Sequence, residues 1–139
     1  MKADASDTDI TISEFQGVVS AWVEKTMGSL VALDPRERNH RFFEEACELV
    51  QSCEMSREEA HQLVDYVFSR EPGERHQEVG GATITLIALA NAHEIDAQRA
   101  CLLEMSRCVM HADKIRDKQT TKPQIGAPNP LYPNRKEIA

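Results

Sequence analysis

The stretch Gly80-Gly81-Ala82-Thr83-Ile84-Thr85-Leu86-Ile87-Ala88-Leu89-Ala90-Asn91 decides the fold. Its middle, Ala82 to Ile87, is short and rich in β-branched residues, as a buried strand would be. Gly80 and Gly81 together disfavour a helix by roughly 1–2 kcal/mol relative to alanines. Two features reverse that reading. No nearby segment has the pattern of a strand partner, and Leu86, Ile87, Leu89 and Ala90 carry the apolar stripe on to Asn91. The segment 74–93 is therefore predicted to be a helix, with glycines that permit close helix packing. The fold class is then all-α.

Working outward, the first ten residues read as a loose acidic lead. Phe15, Val18, Val19, Trp22, Met27, Leu30 and Val31 recur mostly at helical spacing and predict a first helix near 13–32. Asp34-Pro35 breaks it, and Pro35 suits the start of a second helix over 36–53. Ser56-Arg57-Glu58-Glu59 is a capping box that opens a third helix, which ends before Pro72-Gly73. The 74–93 helix is the fourth, and Asp96 caps a fifth that runs to about Met110. No internal repeat is visible. The expected organisation is a helical bundle of four to five helices over 1–113, followed by a basic, Pro-containing extended tail over 114–139.

The chain has 139 residues, enough for one domain with a modest core. Its formal charge is −7 and its pI about 5.2, which argues against general nucleic-acid binding. The charge is uneven. Residues 114–139 hold six basic and two acidic side chains, a balance of +4, which leaves −11 on the remainder. Cys47, Cys53, Cys101 and Cys108 match no zinc spacing, and Met1 to Asp7 lacks the apolar core of a secretory signal. Reduced thiols in a cytoplasmic protein are expected. No apolar run reaches the length of a bilayer span, so no membrane partner is expected.

The chemistry is concentrated in two acidic clusters, Glu44-Glu45-Ala46-Cys47-Glu48 and Glu78-Val79-Gly80-Gly81. On a helix Glu45 and Glu48 project from one face about 60° apart, and Glu44 reaches the same region. Carboxylates crowded together repel one another and resist desolvation unless a cation neutralises them. Clustered oxygen donors of this kind suit Mg²⁺ or Mn²⁺. The plain alternative is a solvated helix face, the commonest fate of helical charge. No phosphate loop of the GxxxxGK[ST] type, GxSxG elbow or GxGxxG fingerprint occurs.

In the order of these parts the chain resembles the MazG-like, all-α nucleoside triphosphate pyrophosphohydrolases, which carry an ExxE motif on one helix and an ExxD motif on another. Glu45-Ala46-Cys47-Glu48 matches the first motif in full. Glu78-Val79-Gly80-Gly81 matches the second at Glu78 and departs from it at Gly81. Further likeness, to a phage and bacterial branch that includes this glycine, lies in Arg38, Arg41-Phe42, Glu48-Leu49-Val50-Gln51, Asp65-Tyr66-Val67, Gln77, Thr85-Leu86 and Lys114-Ile115-Arg116. It spans about residues 34–123. The resemblance implies a usually oligomeric bundle, here a homo-oligomer (dimer or tetramer), that holds Mg²⁺ between the second and fourth predicted helices. It also implies hydrolysis of a nucleoside triphosphate (NTP or dNTP, including modified forms) to monophosphate and pyrophosphate. On that basis Glu45, Glu48 and Glu78 are the metal ligands, and Glu44 is either a ligand or the base that orients the attacking water.

Other signals keep two readings each. Arg41 either pairs with Glu45 at i,i+4 or contacts a substrate phosphate, and Arg107 either lies on the surface or does the same. Lys114, Arg116 and Lys118 either complement a helix C-terminus or clasp a triphosphate. Trp22 is core, subunit interface or a stacking platform for a base. The rival to an enzyme is a non-catalytic nucleotide-binding or structural helical module with a degenerate metal site. A phosphoribosyl-ATP pyrophosphohydrolase would keep the chemistry and change the substrate.

Overall fold

The computed structural model describes residues 9–122 and 125, and every regular element among them is an α-helix. Seven helices follow in order: α1 (Ile12–Met27), α2 (Ser29–Ala32), α3 (Pro35–Ser52), α4 (Arg57–Phe68), α5 (Arg75–Ala92), α6 (Ala97–Met110) and α7 (Ala112–Thr121). The ambiguous 74–93 segment is helical as α5. Among the described residues no helix is long and apolar enough to cross a membrane.

Local chemistry sets most of the boundaries. Thr11 opens α1 with a capping box: Glu14 N–H donates to Thr11 Oγ1 at 3.1 Å, and Thr11 N–H donates to Glu14 Oε2 at 2.7 Å. The predicted first helix, 13–32, is in fact two. Gly28 has φ +84°, a conformation that other residues rarely adopt, and it divides α1 from the single turn of α2. The apolar spacing runs through this break and conceals it.

The chain forms two compact units. One comprises residues up to Asp34 and from Met105 onward, the other Pro35–Glu104. In the first, α1 packs against α2 and α7. Thr26, Val31 and Gln119 are buried there, and Arg116 Nε donates to the Thr26 carbonyl oxygen at 2.8 Å. The expected extended tail from residue 114 is corrected in part, because α7 carries the chain as helix to Thr121. His111 supplies a new helix start directly after α6. The remainder of that predicted tail lies outside the described residues, except Ile125.

The second unit repeats one construction. α3 passes to α4 through Cys53-Glu54-Met55-Ser56, and α5 passes to α6 through His93-Glu94-Ile95-Asp96. Glu54 and Glu94 adopt φ of 68° and 55°. Met55 N–H donates to Val50 O at 3.0 Å and Glu54 N–H to Gln51 O at 3.0 Å; Ile95 N–H donates to Ala90 O at 2.9 Å and Glu94 N–H to Asn91 O at 3.1 Å. Each pair closes a Schellman motif. The next residue in each link then caps the following helix. Glu59 N–H donates to Ser56 Oγ at 3.1 Å, and Arg99 N–H to Asp96 Oδ1 at 2.9 Å. The two links correspond on a shift of 40 residues (Glu54 to Glu94), and α3 and α5 have 18 residues each. Few side chains match across the shift, so the repeat is one of backbone construction and escapes the sequence.

Candidate functional site

α3 supplies most of the charge. Glu37 is fully buried, in the helix's first turn, where its negative charge complements the helix dipole. Arg41, one turn later, puts Nε 3.3 Å from Glu37 Oε1 and Nη1 against Glu44 Oε2. The anticipated pairing of Arg41 with Glu45 does not form. A buried carboxylate has the greater need of a cation, and Glu37 lies four residues away on the opposite side. Arg41 Nε and Nη1 face their carboxylates as ion pairs without the alignment of hydrogen bonds. Arg38 Nε and Nη2 are likewise inaccessible and make no hydrogen bond. A buried guanidinium with unused donors attracts an anion. Glu37 and Arg38 were not among the predicted site residues. The Glu37–Arg41 spacing was legible, but the burial that gives it weight was not.

The pairing sorts the acidic cluster. Glu44 is half-buried and engaged by Arg41. Glu45 and Glu48 are exposed, one turn apart on the same face of α3, and no ion pair among the described residues engages them. Glu78 stands in the first turn of α5, also exposed. Its carboxylate folds back over Gly73, so closely that a Cβ at position 73 would collide with Oε1. Beside it, Glu74 caps α5 by accepting from His76 N–H at 3.1 Å and Gln77 N–H at 2.9 Å. Those two backbone bonds hold the Glu74 carboxyl below its ordinary value near 4.5.

Among the described residues, no three of His, Cys, Asp and Glu lie close enough together within one chain to hold a metal ion. Glu45 and Glu48 are brought together; Glu78 is separate from them. Gly81 lies three residues beyond Glu78 on α5, and a Cβ there meets nothing within 4 Å. A shallow depression of 510 Å³ at the α3–α4 link is lined by Cys53, Glu54, Met55, Glu59, Gln62 and Leu63, and includes none of the clustered glutamates. The four cysteines are free thiols.

Of the predicted phosphate-binding cations, Arg41 belongs to the unit that carries the glutamates, and Arg107, Lys114, Arg116 and Lys118 belong to the other. Arg107 is exposed in the last turn of α6. Arg116 donates to Thr26 O and, through Nη1, to Asp113 Oδ1 at 3.0 Å, which ties α7 to the end of α1. Lys114 and Lys118 are exposed on α7, with Lys118 in the last turn where it complements the helix dipole. Trp22 is half-buried, and its indole N–H makes no hydrogen bond. The chain matches no family model, no curated protein and no solved structure.

Proposed function

We propose that the protein is a cytoplasmic, homo-oligomeric nucleoside triphosphate pyrophosphohydrolase that uses Mg²⁺ (or Mn²⁺) to release monophosphate and pyrophosphate. One observation carries the reading. Arg41 takes up Glu44, while among the described residues no cation pairs with Glu45, Glu48 or Glu78, the three carboxylates assigned as ligands. Hard carboxylate oxygens on one helix face fit a small divalent cation that keeps several waters, so a fourth carboxylate at position 81 is dispensable. A cation held there supplies charge neutralisation for the phosphate oxygens. Glu45 and Glu48 would anchor it from α3; Glu78 on α5, the third expected ligand, lies apart from them within one chain. Glu44, kept in place by Arg41, would accept a hydrogen bond from the attacking water. The water oxygen would bond to the α-phosphorus as that atom's bond to the α–β bridging oxygen breaks, pyrophosphate would leave, and the water's proton would pass to a carboxylate.

Glu45→Gln and Glu48→Gln test the site. Each keeps the size of an exposed side chain and removes its charge, so each variant should fold as the parent does and lose turnover by at least about a hundredfold. Full activity in both would remove these residues from the site.

A further inference from the structure

α5 has the composition of a helix that is buried on every side, and it is not buried. From Val79 to Ala92 it holds no charged residue. Every residue from Arg75 to Ala88 is exposed, Val79 at 69% and Ile84 at 71%. A helix apolar around its whole circumference belongs in a core, and fourteen such residues are too few to span a bilayer. Its two threonine hydroxyls bond back onto the helix itself. Thr83 Oγ1 donates to Val79 O at 2.8 Å, and Thr85 Oγ1 to Gly81 O at 3.0 Å. Neither hydroxyl then needs a partner from outside.

Gly81, Thr85, Ala88 and Ala92 recur at intervals of four, three and four, which makes one face of small residues. Ile84 and Leu89 stand on either side of it. A Cβ added at Gly80 or Gly81 meets nothing within 4 Å, so nothing among the described residues requires two residues that weaken a helix.

We propose that a second copy of this chain packs its own α5 against this face, with Gly81 at the point of closest backbone approach. The proposal deepens the homo-oligomer of the reading above and rests on that part of it, not on the hydrolytic chemistry. Three observations select a second copy. Phe42, Phe43, Tyr66 and Phe68 on α3 and α4, 55–83% exposed, present roughly 500 Å² at about 150–250 Å² per aromatic side chain, and Val79, Ile84, Leu86 and Ile87 exposed on α5 bring the apolar surface of this unit to the order that a partner covers. A stable complex buries about 800 Å² per partner. Residues 1–8 and 123–139 offer only Met1, Ile125, Leu131, Tyr132 and Ile138 as large apolar side chains, too few to cover such an area. Finally, two chains of charge −7 repel, and the uncharged stretch 79–92 lets identical helices meet without placing like charges opposite one another.

Gly81→Leu separates the possibilities. Inside one subunit leucine fits open space and strengthens the helix. Between two closely packed helices it forces the backbones apart. The 15.6 kDa wild-type chain should sediment as a dimer or larger, with a Tm that rises with protein concentration. Gly81→Leu, at equal helicity by circular dichroism, should raise the dissociation constant about tenfold or more. The milder Gly81→Ala should lower Tm, whereas in an exposed helix it would raise it. Unchanged mass with a higher Tm in both variants overturns the α5 contact and leaves the oligomer standing. A wild-type monomer with a Tm independent of concentration overturns both. None of these readouts depends on turnover, so the hydrolase reading is judged separately.

Discussion

Arg41 illustrates what single side chains do here. It is shared between Glu37, which water does not reach, and Glu44. Removing one member of a buried ion pair leaves a charge without compensation. Arg41→Ala should therefore destabilise the fold by about 3 kcal/mol or more, measured by urea denaturation. An effect below about 1 kcal/mol, the range of surface pairs, would mean that Glu37 does not depend on it. Glu74 yields a pH prediction. Its folded value lies below the ordinary one, so its contribution is complete above about pH 4.5 and is lost as the pH falls through the folded value. The Tm deficit of Glu74→Gln should accordingly be largest at neutral pH and close on acidification below 4.5; a constant deficit would exclude the charge as its cause. The placing of Glu45 and Glu48 on one face of α3 was legible because acidic spacing is a local property. The choice of Glu37 over Glu45 by Arg41 was not, because burial depends on residues distant in sequence.

Helix boundaries follow the same division. Ser56 and Asp96 were readable as caps because their chemistry is local, and both cap in the structure. The helix over 74–93 was readable because its apolar stripe outlasts its β-branched centre. The breaks were harder. At Gly28 the apolar spacing continues across a positive φ, and at Glu54 and Glu94 the left-handed position carries glutamate where glycine is the usual signal. These last two residues pay a steric penalty that glycine escapes. Glu54→Gly and Glu94→Gly should each stabilise the protein by about 1 kcal/mol in thermal unfolding, whereas Glu58→Gly, inside α4, should destabilise it by a similar amount. A loss at all three positions would contradict the strain assigned to the links.

Across the whole chain, the all-α class was legible and the division into two units was not. Charge and Pro content separate residue 114 onward as a tail, yet α7 packs on α1. Among the described residues Val31 is the one buried apolar side chain, while Phe42, Phe68, Val79 and Ile84 remain exposed. Helical patterning in the sequence marks which faces are apolar without naming what covers them, and in this protein the covering is assigned to a second copy. The same holds for the carboxylates, which local spacing identifies and which α3 and α5 carry separately. The most direct measurement is product analysis over a panel of NTPs and dNTPs, with Mg²⁺, with Mn²⁺ and with chelator. It must resolve monophosphate plus pyrophosphate from diphosphate plus phosphate. Metal-dependent pyrophosphate release that vanishes in Glu45→Gln and Glu48→Gln is the expected result. A folded protein that binds nucleotides but turns over none of them would instead establish a binding module.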